Sequence, residues 1–468
     1  MLVKAQSQFF GAAICFSFAL NSCGVLNKKS SDDVQEVREV ALDELMLFSA
    51  EDPGCGTSVN VTNPLVWRWD GTSASQIEVP AELTPGPDGE LSSKGVLGSI
   101  SNLSTESSCT VSDNSDLDCG EIRIKDEGKI LKSCRPNGDY ARESLEAVSL
   151  ASQVLLSEAA AFYQTIPESK RSVSDSILLV QRLDIIHRTK GPLKKTLAIS
   201  DNASFAKSAK SENSIFSVYP TAKKTFQESG VHLWEVPFVL SHEYGHNVFN
   251  AHLGHALKTV GVKIFRHESI NGILSDRYTV PRDMFNLSES DRAERAFGGV
   301  NELFADLFAY YAGKGASGQL KGVHSLETTR DPSSAVTKAG VPKIFGPSEL
   351  DIFEGRAEPI KKSNGDPEFD SIHDIAAALG YPIAKLLDDS TPGATNMDRI
   401  AVLIKSLNKL AAEVVSTRSS AKSLDEILAV IVRTISENKT VAAAESGKVC
   451  SDFQALVPGL ERTAAACQ

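Results

Sequence analysis

No interior apolar run reaches the roughly 20 residues that a membrane-spanning helix needs, so nothing past the N-terminus reads as a span. Basic stripes are missing too. Lys and Arg total 48 against 60 Asp and Glu, a net charge of -12. A chain of that sign and no basic stripe excludes nucleic acid as a partner. None of the cysteines stands at zinc-ribbon spacing, which removes a structural zinc knuckle. Internal repeats and low-complexity tracts are absent, so solenoids and long disordered arrays are excluded. What is there is ordinary: 41% apolar and 23% charged residues in a chain of 468. That length suffices for two or three domains and a substantial core.

Residues 1–22 read as an export signal. Lys4 gives a weakly basic start, and FFGAAICFSFAL, Phe9 to Leu20, is apolar but too short to span. LNSC, Leu20 to Cys23, follows without an Ala-x-Ala site and resembles a bacterial lipobox. That resemblance implies lipidation at Cys23 and an exported protein anchored to the cell envelope. With Gly24 next, the outer membrane is the expected location, facing periplasm or surface, and the lipid is the only membrane contact. Residues 23–45 are a polar tether. Six cysteines remain beyond Cys15 and Cys23, an even number that suits three disulfides in an oxidising compartment. Sequence proximity pairs Cys450 with Cys467 and leaves Cys55, Cys109, Cys119 and Cys134 to staple the N-terminal region.

Residues 46–140 are rich in Gly, Pro, Ser and Asp, with short β-type runs such as LVWRWD and EIRIKD. A helix is expected over about Tyr140 to Tyr163. Residues 141–289 continue with the β-type segments ILLVQRLDIIHR, KTLAIS and SIFSVYP, then a largely apolar helix. Pro237 suits that helix's first turn and Gly254 its C-terminal stop. Residues 290–468 are helical almost throughout by apolar spacing, beginning with a helix over about Ser290 to Ala312 closed by Gly313. The fold class is therefore α+β, with a β-rich N-terminal half and a helical C-terminal half.

The apolar helix carries HEYGH. On a helix His242 and His246 lie one turn apart on one face, so two imidazoles reach one metal ion. Glu243 falls on the neighbouring flank, placed to touch a metal-bound water. The third ligand has two candidates. His252 sits at the last position of the metzincin pattern, but Phe249 occupies the glycine position at which that chain leaves its helix. If the helix continues, His252 lies roughly 80° around the axis from His242 and is a partly exposed helix residue. The other candidate is Glu302. With Asp306 at i+4 it faces one way from a second helix whose Leu303, Phe304, Leu307 and Phe308 mark it as buried. Buried carboxylates need partners, and Asp306 suits the spare N–H of a ligating histidine. Gly298, Gly299 and Ala305 are small enough for close helix approach.

HEYGH followed by NELFAD resembles the gluzincins, in particular the thermolysin-like metallopeptidases. The resemblance implies a zincin-like fold, Zn2+ as cofactor, His242, His246 and Glu302 as ligands, Glu243 as general base and Asp306 behind a histidine. It also implies that DNASF lies on an edge strand whose Asn202 and Ala203 contact an extended substrate. From DSIHDIAAALGYPIAKLL it implies His373 as a donor to the reacting centre. The 55 residues between His246 and Glu302 exceed the family's compact spacing and imply an inserted loop. The expected activity is hydrolysis of a peptide or protein substrate by a zinc-activated water, with Glu243 as base and His373 or Tyr278 assisting. The alternatives are a metzincin-type peptidase using His252 and a non-catalytic envelope-anchored binding lipoprotein.

Overall fold

A computed structural model describes residues 58–85, 91–93, 99–111, 117–118, 129–130, 135–142, 144–169, 175–188, 194–199, 202–208, 214–219, 231–262, 265–270, 273–278, 287–313, 330–335, 343–357, 372–419 and 422–468. The expected signal, Cys23, the tether, Cys55, EIRIKD, Cys119 and Cys134 lie outside them. The chain divides into two compact units. One comprises residues 1–157, 173–236 and 267–277, the other 158–172, 237–266 and 278–468.

The first unit holds the β-structure. A hairpin pairs Leu65–Trp69 with Ala74–Glu78, and a three-stranded sheet runs in the order Val61–Thr62, Glu82–Pro85, Leu91–Ser93. In the nine-stranded sheet, Asp175–Arg188 is the axis, parallel to both Ser99–Val111 and Ser214–Tyr219. Its run ILLV is continuously apolar, the pattern common in parallel strands. Asn202–Ser208 pairs antiparallel with Ser214–Tyr219, Ala203 opposite Val218. This strand is not the end of the sheet: Ile273–Tyr278 flanks it, pairing at Lys207 and Ser208. The long interval between HEYGH and NELFAD thus contains two strands, Phe265–Ile270 and Ile273–Tyr278.

Helix α1 is Leu145–Gln164. The second unit is helical: α2 Pro237–Phe249, α3 His255–Thr259, α4 Glu289–Ala312, α5 Pro347–Phe353, α6 Ile372–Ser390, α7 Asn396–Thr417, α8 Leu424–Glu437, α9 Ala443–Leu456 and α10 Glu461–Ala465. Strands thus lead and helices follow, the α+β order read from sequence. At the centre lies α4, packed on α2, α6, α7 and α8. Its Phe297, Val300, Leu303, Leu307 and Phe308 are buried, each contributing about 1.5–3 kcal/mol of burial. The helix starts where Ser288 Oγ accepts from the Asp291 N–H at 3.1 Å, and it ends at Gly313 as expected. The disulfide Cys450–Cys467 closes the C-terminal helices, the pairing that proximity favoured.

Gly254 does not stop the HEYGH helix. Its φ of -57° is helical, and the chain passes through a π turn, Asn250–Gly254, straight into α3. A Cβ there would meet only the Asn250 side chain, its Oδ1 at 2.1 Å, which a change of rotamer relieves. The stop comes at Gly261, whose φ of +82° is the left-handed value that terminates helices. Val262 N donates to Leu257 O and Gly261 N to Lys258 O, closing the last turn.

Helices α2 and α4 touch through their backbones. A Cβ on Gly245 would lie 2.7 Å from Ala305 Cα and 3.2 Å from Phe308 Cβ. Gly299 plays a similar part toward α6, where a Cβ would meet Ile375 at 3.1 Å. Replacing Gly245 with Ala therefore pushes α2 from α4. Chemical denaturation should show a loss of about 1–3 kcal/mol, and unchanged stability would contradict this packing.

Candidate metal centre

The α2–α4 contact places His242 and His246 opposite Glu302. All three side chains are buried, and their ligand atoms lie within 4.8 Å of one another. The imidazole centroids are 4.5 Å apart. Each histidine has its Nδ1 engaged: that of His242 lies 2.8 Å from Asp306 Oδ1, and that of His246 lies 3.0 Å from Asn301 Oδ1. Asparagine and carboxylate oxygens only accept, so both contacts suit a protonated Nδ1, and an imidazole that is then neutral keeps its Nε2 lone pair for a metal. His242 Nε2 lies 3.4 Å from Glu302 Oε2, and His246 Nε2 lies 3.6 Å from Glu302 Oε1. Around a tetrahedral ion held at about 2.0–2.1 Å, two ligand atoms stand about 3.4 Å apart. The donor set fits a metal ion.

Charge points the same way. Glu243, Glu302 and Asp306 are buried together, and the Arg330 guanidinium pairs with the last two. Burial opposes ionisation of Glu302 and Asp306, yet the surrounding imidazoles and Arg330 hold both below the usual carboxylate range. Burial, followed by the mixed charges around it, pushes the Glu243 carboxyl up to about 7. His246 is lowered by burial to about 4. For His242 burial and Arg330 act downward, but Asp306 and Glu302 outweigh them and raise it to about 9. With neutral imidazoles, three carboxylates against one guanidinium leave two negative charges for a divalent cation to balance.

His373, near the start of α6, belongs to the same cluster, its Nε2 3.3 Å from Glu302 Oε2. Its side chain is 20% exposed, and burial lowers its pKa to about 4, so it is neutral. Asn202 and Ala203 lie on a strand of the other unit, with Ala203 buried. Tyr278 ends the strand Ile273–Tyr278, its side chain outside the described residues.

His252 is neither a ligand nor partly exposed. It is buried in the π turn, with Nε2 2.8 Å from Tyr163 OH and Nδ1 2.9 Å from Asn408 Oδ1. The unbroken helix keeps it off the metal face, and these two partners satisfy both ring nitrogens. The residues this structure brings together are His242, His246 and Glu302, and His252 is not among them. Two residues at the centre carried no role in the sequence reading. Asn301, holding His246, had a signal in its place beside Glu302. Arg330, bonded to Glu302 and Asp306, had none.

No protein-family model matches this chain, and no curated protein is significantly similar to it. What the structure defines is a buried site of His-Glu-x-x-His type, two histidines and a glutamate able to hold a metal ion.

Glu302→Ala should abolish stoichiometric metal uptake measured by atomic emission. His252→Asn should leave uptake intact and cost about 1–3 kcal/mol of stability through unpaired Tyr163 and Asn408. The reverse pattern of metal loss would contradict the assignment.

Proposed function

We propose that this chain is a zinc-dependent metallopeptidase whose site works as in the gluzincins, on a zincin-like fold. The observation that carries the proposal is the pair of histidines fixed through Nδ1 by Asp306 and Asn301 with both Nε2 atoms facing Glu302. His242, His246 and Glu302 would hold the ion, whose chemistry is to lower the pKa of a water and polarise a carbonyl. Zinc suits two imidazoles and one carboxylate better than magnesium or calcium, which take oxygen ligands.

Glu243 supplies the proton transfer. Its carboxyl sits one residue from His242 and is buried among the same charges, and that burial pushes its pKa up to about 7. A carboxylate so poised accepts a proton from the attacking water and returns it to the leaving amine. A purely structural site has no chemical need for a carboxylate at Glu243, which supports the enzyme reading over that of a non-catalytic lipoprotein. Neutral His373 supplies an N–H donor beside Glu302 for the oxygen that gains charge during attack. The partner is a peptide or protein substrate. The lipobox resemblance of Leu20 to Cys23 supports anchoring to the cell envelope through lipid on Cys23.

The test is cleavage of an unfolded protein by the zinc-loaded chain. Glu243→Gln should keep its zinc and lose about 10²–10⁴-fold in rate. His373→Ala should keep its zinc and lose about 10²-fold in kcat. Turnover retained by Glu243→Gln would sink the mechanism. The anchor is checked separately: radiolabelled fatty acid should mark the wild type and not Cys23→Ser.

A further inference from the structure

Arg330 is a second cation on the metal ligands. Its Nη2 donates to Glu302 Oε2 at 3.0 Å and lies 3.0 Å from Asp306 Oδ1. Its Nε donates to Asp306 Oδ2 at 3.1 Å. The same Nη2 stands over the His242 ring, 3.4 Å from Nε2 and 3.5 Å from Nδ1. Only 11% of the side chain is exposed. One guanidinium thus touches two of the three ligands and the carboxylate behind one of them.

The backbone that carries it is fixed. Asp331 Oδ1 accepts from Ser333 N at 2.8 Å and Ser333 Oγ at 2.7 Å. The Asp331 carbonyl accepts from Ser334 N and from Nζ of the buried Lys343, both at 3.1 Å. Pro332 stands against Gly380 of α6, where a Cβ would make ordinary contact at 3.7 Å. The turn fixes where the side chain starts, and the bonds to Glu302 and Asp306 hold its guanidinium end.

We infer that Arg330 is a positioning residue that shares Glu302 and Asp306 with the resident ion, and so sets how tightly the ion is held. The inference rests on the metal-site reading above. A guanidinium bonded to a ligand oxygen repels a dication on that ligand, and in a buried cluster the repulsion is worth orders of magnitude in affinity. The same guanidinium keeps both carboxylates paired whenever the ion leaves, and a buried carboxylate without a partner is strongly destabilising. Arg330 therefore trades tightness for a chain that stays folded through loss and recovery of its ion.

The test uses the full chain, with Zn2+ affinity read by competition with a chromophoric chelator and thermal midpoints taken in EDTA. Arg330→Gln and Arg330→Met remove the charge, the first keeping amide donors. Arg330→Lys keeps the charge without the fork. Expected is Zn2+ binding on the order of tenfold or more tighter in the neutral variants, with lower midpoints in EDTA. Arg330→Lys should stay close to wild-type affinity. A residue that merely props the site would give the opposite sign, since its loss weakens binding. Unchanged or weaker binding in both neutral variants, with the wild type binding Zn2+, overturns the inference alone. A folded wild type that takes up no Zn2+ overturns the metal reading, and this inference with it.

Discussion

The close approach of α2 and α4 at Gly245 and Ala305 is the constraint on which the site depends. A Cβ on Gly245 would overlap the Ala305 backbone, so the two helices meet nearer than ordinary side chains permit. Glu302 and Asp306 flank Ala305 on α4, and His242 and His246 flank Gly245 on α2. Closing the backbones there brings the imidazole nitrogens to 3.4 and 3.6 Å from the Glu302 carboxylate. Phe304 and Phe308, stacked along α4, and Phe249 and Tyr244 on α2 fill the rest of the interface. Apolar packing thus sets a metal-ligand distance.

Burying so many charges has a cost that the fold meets with partners. Asp306 is fully buried yet stays ionised, because His242 and Arg330 both reach it. Asn301 does for His246 what Asp306 does for His242, without adding charge. The two histidines therefore sit in different fields, one raised to about 9 and the other lowered to about 4. Metal binding requires both to be neutral, so it draws a proton from His242 at neutral pH. The cluster can hold a cation through His242, His246 and Glu302, with Glu243 buried one residue from His242 and His373 beside Glu302.

Much of this centre was legible in local spacing. HEYGH places two imidazoles on one helical face, and Glu302 with Asp306 at i+4 on an apolar helix requires a buried partner. The short separation of Cys450 from Cys467 was enough to pair them. Other features lay beyond spacing. Gly254 and Gly261 are both plausible stops by composition, and only the backbone angle distinguishes them. His252 reads as exposed on an ideal helix, but its partners are 89 and 156 residues away in sequence, and a π turn shifts the local period. Arg330 reaches Asp306 and Glu302 from 24 and 28 residues further on. No periodicity predicts a contact made by a turn. The strand Asn202–Ser208 gained a neighbour from the interval between the two motif helices, which the sequence marked only as extra length.

The central claim is that His242, His246 and Glu302 together hold one divalent ion. X-ray absorption at the zinc edge of the loaded protein tests it most directly. The account predicts a first shell of nitrogen and oxygen at about 2.0–2.1 Å, no sulfur, and outer-shell scattering from two imidazoles. A three-imidazole signature, sulfur ligation, or a folded chain that takes up no zinc would contradict it.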